Sequence, residues 1–355
     1  MGKRVLSYVS IIFLLLGSIT GLMLAFTSIP SAAAAPTPAN QIVWRMDFYL
    51  PAQDPETIML KQACDDILEF TEGRLKIDVY PSFSLKLNPG TQLSNIRDGL
   101  CEAACMTVQA LEGQEASFAV TEAAGVWPGK EDQAKAVDAL IPFKKKVYSE
   151  VWKSHYVATK MMTVQTNGIF SAKNPIKTIN DLKGFKMRVP SRRQQEPFKA
   201  IGAAPQTMPS GEVYMALKTG VLDGASSGSR ILIYQKWAEV VKYGLEGWVA
   251  EANAQDVVVN QKAWDAIPSD VKEIVTMVFQ ALGQKQRAMA VMPGTSNHWR
   301  RQCEGLGVQY FDLSPQDRTK FEEVFSKQWY SDLEKANPRT KEAWDIVKQF
   351  TILKK

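Results

Sequence analysis

The chain has 355 residues, with 42 Lys and Arg against 37 Asp and Glu, and 45% of its residues are apolar. A formal charge of +5 on this length is no nucleic-acid footprint, and the ordinary apolar share excludes a disordered chain. The length exceeds what one hydrophobic core usually serves, so two domains are expected.

Lys3 and Arg4 form a basic start, residues 8–26 are almost wholly apolar, and Ser31 and Ala32 to Ala35 supply small residues. This three-part pattern is that of a secretory signal. Cleavage is placed after Ala34, giving a signal peptide over 1–34, because cleavage after Ala35 would leave Pro36 first. An uncleaved anchor is the alternative reading, since the apolar run approaches spanning length. No cysteine follows the run closely and no later stretch is long and apolar enough to span, so an exported, periplasmic, soluble chain is expected. Without Lys3 and Arg4 the charge balance is 40 to 37. The basic runs Lys144 to Lys146, Arg192-Arg193 and Arg300-Arg301 read as solvated faces. Cys64, Cys101, Cys105 and Cys303 allow three connectivities. They are read either as one bridge or as small buried hydrophobes, with Cys101 and Cys105 on one strand and unable to bridge directly.

Residues 42–48 read as the first strand. Asp54 then caps a helix with Pro55 at its first position. Met59, Leu60, Ala63, Cys64, Ile67 and Leu68 share one face of that helix. Leu75, Ile77 and Val79 alternate as the second strand, a short helix covers 92–98, and 101–108 is a third, mainly apolar strand. Strand and helix in alternation imply a mostly parallel sheet. Ligands lie beyond the carboxyl ends of such strands. The candidates there are Asp47, Phe48 and Tyr49 after the first strand, and Thr107 and Gln109 after the third. Phe48 and Tyr49 equally suit packing beneath a loop, and Trp127 suits either a pocket wall or a core. A helix is predicted over 131–147, then a strand over 156–164 that crosses to a second domain and continues to Phe170.

Between Asp181 and Pro190, Phe185, Met187 and Val189 alternate with Lys186 and Arg188, the period of a half-buried strand. Pro190 has no N–H for the ladder and ends it, leaving Arg188 at the strand end, off the apolar face. Gly202-Ala-Ala-Pro205, Glu212 to Gly220 and Asp223-Gly224 complete a compact α/β unit.

These four blocks, in this order, resemble the extracytoplasmic solute receptors of TRAP transporters, the DctP-like family. A weaker likeness runs from about Gln41 to about Phe350. The resemblance implies an α/β, two-lobed type II periplasmic binding protein-like fold with helices bridging both lobes. Lobe I is placed at 41–165 with 253–292 returning, lobe II at 166–252 with 293–320 contributing, and a C-terminal helical segment at 321–355. It implies that Arg188 grips a substrate carboxylate, that the lobes close about a hinge, and that the closed form is recognised by the small and large subunits of a membrane permease. A monomer without cofactor or metal is expected.

Two departures from the family pattern bear on the ligand. Twenty residues before Arg188, where relatives often carry a polar or basic group, stands Gly168. Asn167 replaces it only if the register shifts by one, and otherwise faces away from the cleft. After Asp223-Gly224 come Ala225, Ser226, Ser227 and Gly228, so hydroxyls stand where some relatives have carboxylates. Ser210 joins Ser226 and Ser227 as a candidate. A metal-free monocarboxylate is the expected ligand.

Further on, a helix over 231–241 carries Trp237, residues 255–260 form a strand returning to the first domain, and Pro293-Gly294 breaks a long bracing helix. Ser314-Pro315 opens a helix with Phe321, Val324 and Phe325. The two histidines, His155 and His298, have no metal-ligand spacing, and there is no Walker lysine or C-x-x-C pair. A binding protein is therefore favoured. The alternatives are an exported enzyme of carboxylate chemistry and a ligand-binding sensory ectodomain.

Overall fold

The computed structural model describes residues 40–108, 110–123, 125–161, 167–190, 194–208, 210–249, 253–291 and 295–353, and the fold below is that of the unit beginning at Ile42. Its first part runs β1 (Ile42–Phe48), α1 (Pro55–Phe70), β2 (Leu75–Tyr80), α2 (Gln92–Arg97), β3 (Ala103–Thr107), α3 (Lys130–Ala139), α4 (Ile141–Glu150) and β4 (Ser154–Met161). Next come β5 (Asn167–Ser171), β6 (Lys186–Val189), α5 (Gln195–Ala200), β7 (Ala204–Thr207), α6 (Ser210–Lys218), β8 (Gly224–Gly228), α7 (Ser229–Tyr234) and β9 (Tyr243–Val249). The last part is β10 (Ala254–Asn260), α8 (Gln261–Asp265), α9 (Ser269–Val291), α10 (Thr295–Gly305), β11 (Gln309–Asp312), α11 (Pro315–Glu334) and α12 (Pro338–Val347).

Two sheets result, one ordered β2-β1-β3-β10-β4 and the other β11-β9-β5-β8-β6-β7. In the first, β1 is parallel to β2 and β3, while β10 is antiparallel to both its neighbours. Every residue of β10 is buried, as suits a strand covered on both faces. Trp44, Met46 and Phe48 pack on one face with α1 and α9, and Ala104, Met106 and Val258 pack on the other with Phe118 and Tyr148. In the second sheet β7, β6 and β8 are parallel and β5 is antiparallel to β8 and β9. Helix α11 belongs to both halves. Phe321 and Phe325 lie in the core of the second sheet against Phe198, and Trp329 lies in the first against Trp344.

Several expectations are corrected. The single helix predicted over 131–147 is two, α3 and α4, because Pro142 in the first turn of α4 has no N–H for the preceding helix. The helix predicted over 231–241 ends at Tyr234, since Lys236 adopts a left-handed φ of 59° and Trp237–Glu239 is a 3-10 turn. Strands β7 and β11 are edge strands with mostly exposed residues and lack the apolar alternation that would reveal them. All four cysteines are free and buried, which is the hydrophobe reading. Cys101 precedes β3 and only Cys105 is on it. Pro293-Gly294 lies outside the described residues, as do Arg192 and Arg193.

Lys144 is not solvated. It shares the inward face of α4 with Tyr148, one turn on, and its Nζ lies 2.6 Å from Asp256 Oδ1 with both side chains buried. Thr159 Oγ1 donates to the same oxygen at 2.6 Å and Tyr148 Oη to Oδ2 at 2.8 Å. This carboxylate is fully engaged, so removing the lysine would strand a buried charge. Lys144→Ala is expected to cost about 3–5 kcal/mol, read as a lowered urea midpoint.

Glu246 on β9 receives the Ser229 hydroxyl, and Arg300, Asp312, Glu304 and Lys130 supply charge around it. Burial raises its carboxyl to about 7, against the pull of the Ser229 bond and Arg300. Burial pushes Lys130, at the start of α3, down to about 8, with Glu246 acting the other way. A carboxyl whose folded pKa is raised stabilises fully below its unfolded pKa, and that contribution is lost as pH rises through about 7. Glu246→Gln is expected to flatten the fall in Tm between about pH 5 and 8.

Candidate functional site

Arg188 is fixed by its neighbours in the sheet. The Asp223 amide donates to the Lys186 carbonyl at 2.8 Å, and the Lys186 amide donates to Asp223 Oδ2 at 3.0 Å. A Cβ at Gly224 would sit 2.2 Å from the Phe170 carbonyl oxygen and 2.4 Å from the Phe185 ring, so only glycine lets β8 pass. This clasp sets β6 beside β8, with Arg188 opposite Ala225. Met187 and Val189 enter the core and Arg188 takes the other face. Its Nε donates to the Met208 carbonyl at 3.0 Å and Nη1 to the Ser226 carbonyl at 3.1 Å. The residue is 7% exposed, and among the described residues no carboxylate pairs with it. Burial alone lowers its pKa to about 10, which leaves it charged at neutral pH. A guanidinium has five N–H hydrogens, so this cation keeps a fork for a planar anion.

Arg230, in the first turn of α7, is a second buried guanidinium that the sequence reading did not select. Its Nη1 donates to Asp54 Oδ1, which also accepts the Glu56 amide at 2.9 Å and so caps α1. The pair therefore joins the end of β8 to the loop after β1, across from one sheet to the other. Arg230 Nε and Nη2 and Asp54 Oδ2 are buried without partners among the described residues. Burial raises the Asp54 carboxyl, with Arg230 pulling the other way. The sequence signal was an arginine just past a strand, directly before the apolar run Ile231 to Ile233. Beside Asp54, Lys160 Nζ lies 3.4 Å from Glu56 Oε2, which also receives Gln286 Nε2, and 5.0 Å from the Phe48 ring centroid.

The sequence candidates divide. Phe48 is wholly buried in the first core and takes the packing reading. Tyr49 is half-buried with its ring edge-on to Phe48, and its hydroxyl accepts Gln255 Nε2 at 2.8 Å. Asp47 is buried on the other face of β1, where Gln92 Nε2 reaches Oδ2 at 3.4 Å and burial raises the carboxyl. Its neighbours in the strand, Met46 and Phe48, point to the opposite core, so Asp47 and Phe48 do not share one wall. Thr107 is half-buried, with Oγ1 unpartnered. Ser226 is buried and meets Arg188 through its carbonyl, while Ser227 is half-buried opposite Gly168. Ser210 opens α6 and accepts Gln235 Nε2 at 3.0 Å. Trp127 is in the first core. Gln109 and the side chain of Asn167 lie outside the described residues. At Gly168 a Cβ would meet the Phe170 ring at 2.8 Å and the Leu245 carbonyl oxygen at 3.1 Å, so β5 has no room for a side chain there.

The C4-dicarboxylate-binding periplasmic protein DctP of Rhodobacter capsulatus is 26% identical over 87% of this chain and 91% of its own. The sialic acid-binding periplasmic protein SiaP of Vibrio cholerae is 26% identical over 80% of this chain and 87% of its own. Among solved structures, DctP7 of Bordetella pertussis, an extracytoplasmic solute receptor binding pyroglutamic acid, superposes with a TM-score of 0.79 at 20% identity, covering 86% of this chain and 99% of its own. Residues 47–335 match the DctP family, described as bacterial extracellular solute-binding protein, family 7, and the chain belongs to that family.

Proposed function

We propose that this protein is the solute receptor of a TRAP-type transporter, and that it captures a small organic acid between its two lobes and hands it to a membrane permease of one small and one large subunit. The observation that carries this reading is Arg188: a buried, charged guanidinium, anchored by two backbone carbonyls, with no carboxylate partner among the described residues. Carbonyl dipoles orient a cation without neutralising it, so the group is ready for an anion from outside the chain. The relatives named above bind acids, and a further solved relative, from Ralstonia eutropha, is described with bound (S)-2-acetolactate. In the proposed mechanism the acid enters between the lobes placed at 41–165 with 253–292 and at 166–252 with 293–320. Arg188 takes its carboxylate, and the lobes close and exclude water. Tyr49, Thr107 and Ser227, half-buried at the ends of β1, β3 and β8, supply further polar contacts. The receptor works in the periplasm after loss of residues 1–34.

Two hydrogen bonds to a charged group in a dry cleft contribute roughly 1.5–3 kcal/mol each. Leaving a substrate carboxylate buried without its partner costs on the order of 3–5 kcal/mol. Arg188→Ala is therefore expected to weaken binding of the best organic acid by about two to three and a half decades by calorimetry, at roughly 1.4 kcal/mol per decade. Arg188→Lys should recover part of this, because an ammonium cannot make the planar pair. Arg301→Ala, at an exposed residue of α10, is the control. Equal affinity for the Arg188→Ala and Arg301→Ala variants, both folded, would show that the carboxylate is held elsewhere.

Closure is expected to reduce the radius of gyration measured by small-angle scattering when the ligand saturates. An unchanged radius would contradict the hinge.

A further inference from the structure

We infer that Arg230 and Asp54 read the far end of the bound acid, and that this end is a neutral group offering both a hydrogen-bond acceptor and a donor, such as an amide or a hydroxyl. The inference rests on the assignment of Arg188 to the carboxylate. Arg188 and Arg230 lie toward the carboxyl ends of adjacent parallel strands: Ser226, in the middle of β8, holds Arg188 through its carbonyl, and Arg230 is two residues past the end of that strand. Arg230 extends from there to Asp54 at the end of β1, so the pair lies between the two strand ends that a captured solute must also bridge.

The charge pattern sets the chemistry. Arg188 is unopposed and asks for one negative charge. Arg230 is matched by Asp54, so a second carboxylate on the solute would bring two anions to one cation. What the pair lacks is neutral partners. Among the described residues, Arg230 Nε and Nη2 are donors without acceptors and Asp54 Oδ2 is an acceptor without a donor, all of them buried. Buried polar groups are normally satisfied, and a pair short of both kinds suits a ligand that supplies both. An alkyl end would leave them as they are. A half-amide or hydroxy acid would satisfy them without adding charge.

The test measures binding of nine probes to the full-length mature protein. They are malonate, succinate and glutarate, the half-amide of each, and the branched acids of matching shape, 3-methylbutanoate, 4-methylpentanoate and 5-methylhexanoate. At the preferred length the half-amide is expected to bind at least about tenfold tighter than the matching dicarboxylate and the matching branched acid. Asp54→Asn keeps a good helix cap while removing the charge, and should move the preference toward the dicarboxylate by about tenfold or more. Arg230→Gln reads the same contact from the other side and should erase the advantage of the half-amide over the branched acid. The inference is overturned if none of the nine binds, if a dicarboxylate or branched acid matches the half-amide in the unmodified protein, or if these variants leave the ratios unchanged, in which case the pair only ties the lobes together. Failure of the Arg188 assignment looks different: Arg188→Ala would then leave the affinities of all the probes unchanged.

Discussion

A charged guanidinium held away from water, with no counter-ion among the described residues, is the constraint on which the rest of this structure depends. Arg188 carries two backbone carbonyls and a large desolvation burden. An isolated buried charge of this kind is disfavoured by several kcal/mol unless the surrounding fold fixes it. Here the fixing comes from three adjacent parallel strands. The Asp223 clasp ties β8 to β6, the glycine at 224 allows the close pass, and the chain after β7 brings the Met208 carbonyl to Nε. The guanidinium is therefore held in place before any ligand binds, which is the physical meaning of preorganisation.

The ionic groups buried elsewhere fall into two kinds. Lys144 with Asp256, and Lys160 with Glu56, lie within the half built on the first sheet, and the Asp256 carboxylate is satisfied by a lysine, a tyrosine and a threonine. Such pairs make that half rigid, because breaking either strands a charge. Arg230 with Asp54 joins the two sheets instead and leaves three polar atoms unsatisfied. Helix α11, packed into both cores, is a second link between the two halves.

Gly168 is fixed by the packing around it. The Phe170 ring and the Leu245 carbonyl oxygen occupy the space a side chain would need, so a change of ligand group at that position has to come with repacking of β5 against β9.

The sequence by itself determined the strand-helix alternation, the Asp54 cap, and the strand that carries Arg188, because these rest on local periodicity and on residues with narrow backbone preferences. It also determined the family, because glycines and the Asp223-Gly224 turn stand in a fixed order around that strand. It did not determine which charges are buried. Lys144 in a run of three lysines looks solvated in sequence, Arg230 was not singled out, and each lies against an acid more than a hundred residues away. Phe48 and Asp47, adjacent in one strand, were both candidates, and the pleat sends them to opposite faces. Edge strands β7 and β11 were silent because an edge needs no apolar alternation. Only the tertiary structure decided these, since burial, ion pairing and sheet edges are properties of segments brought together and not of any segment alone.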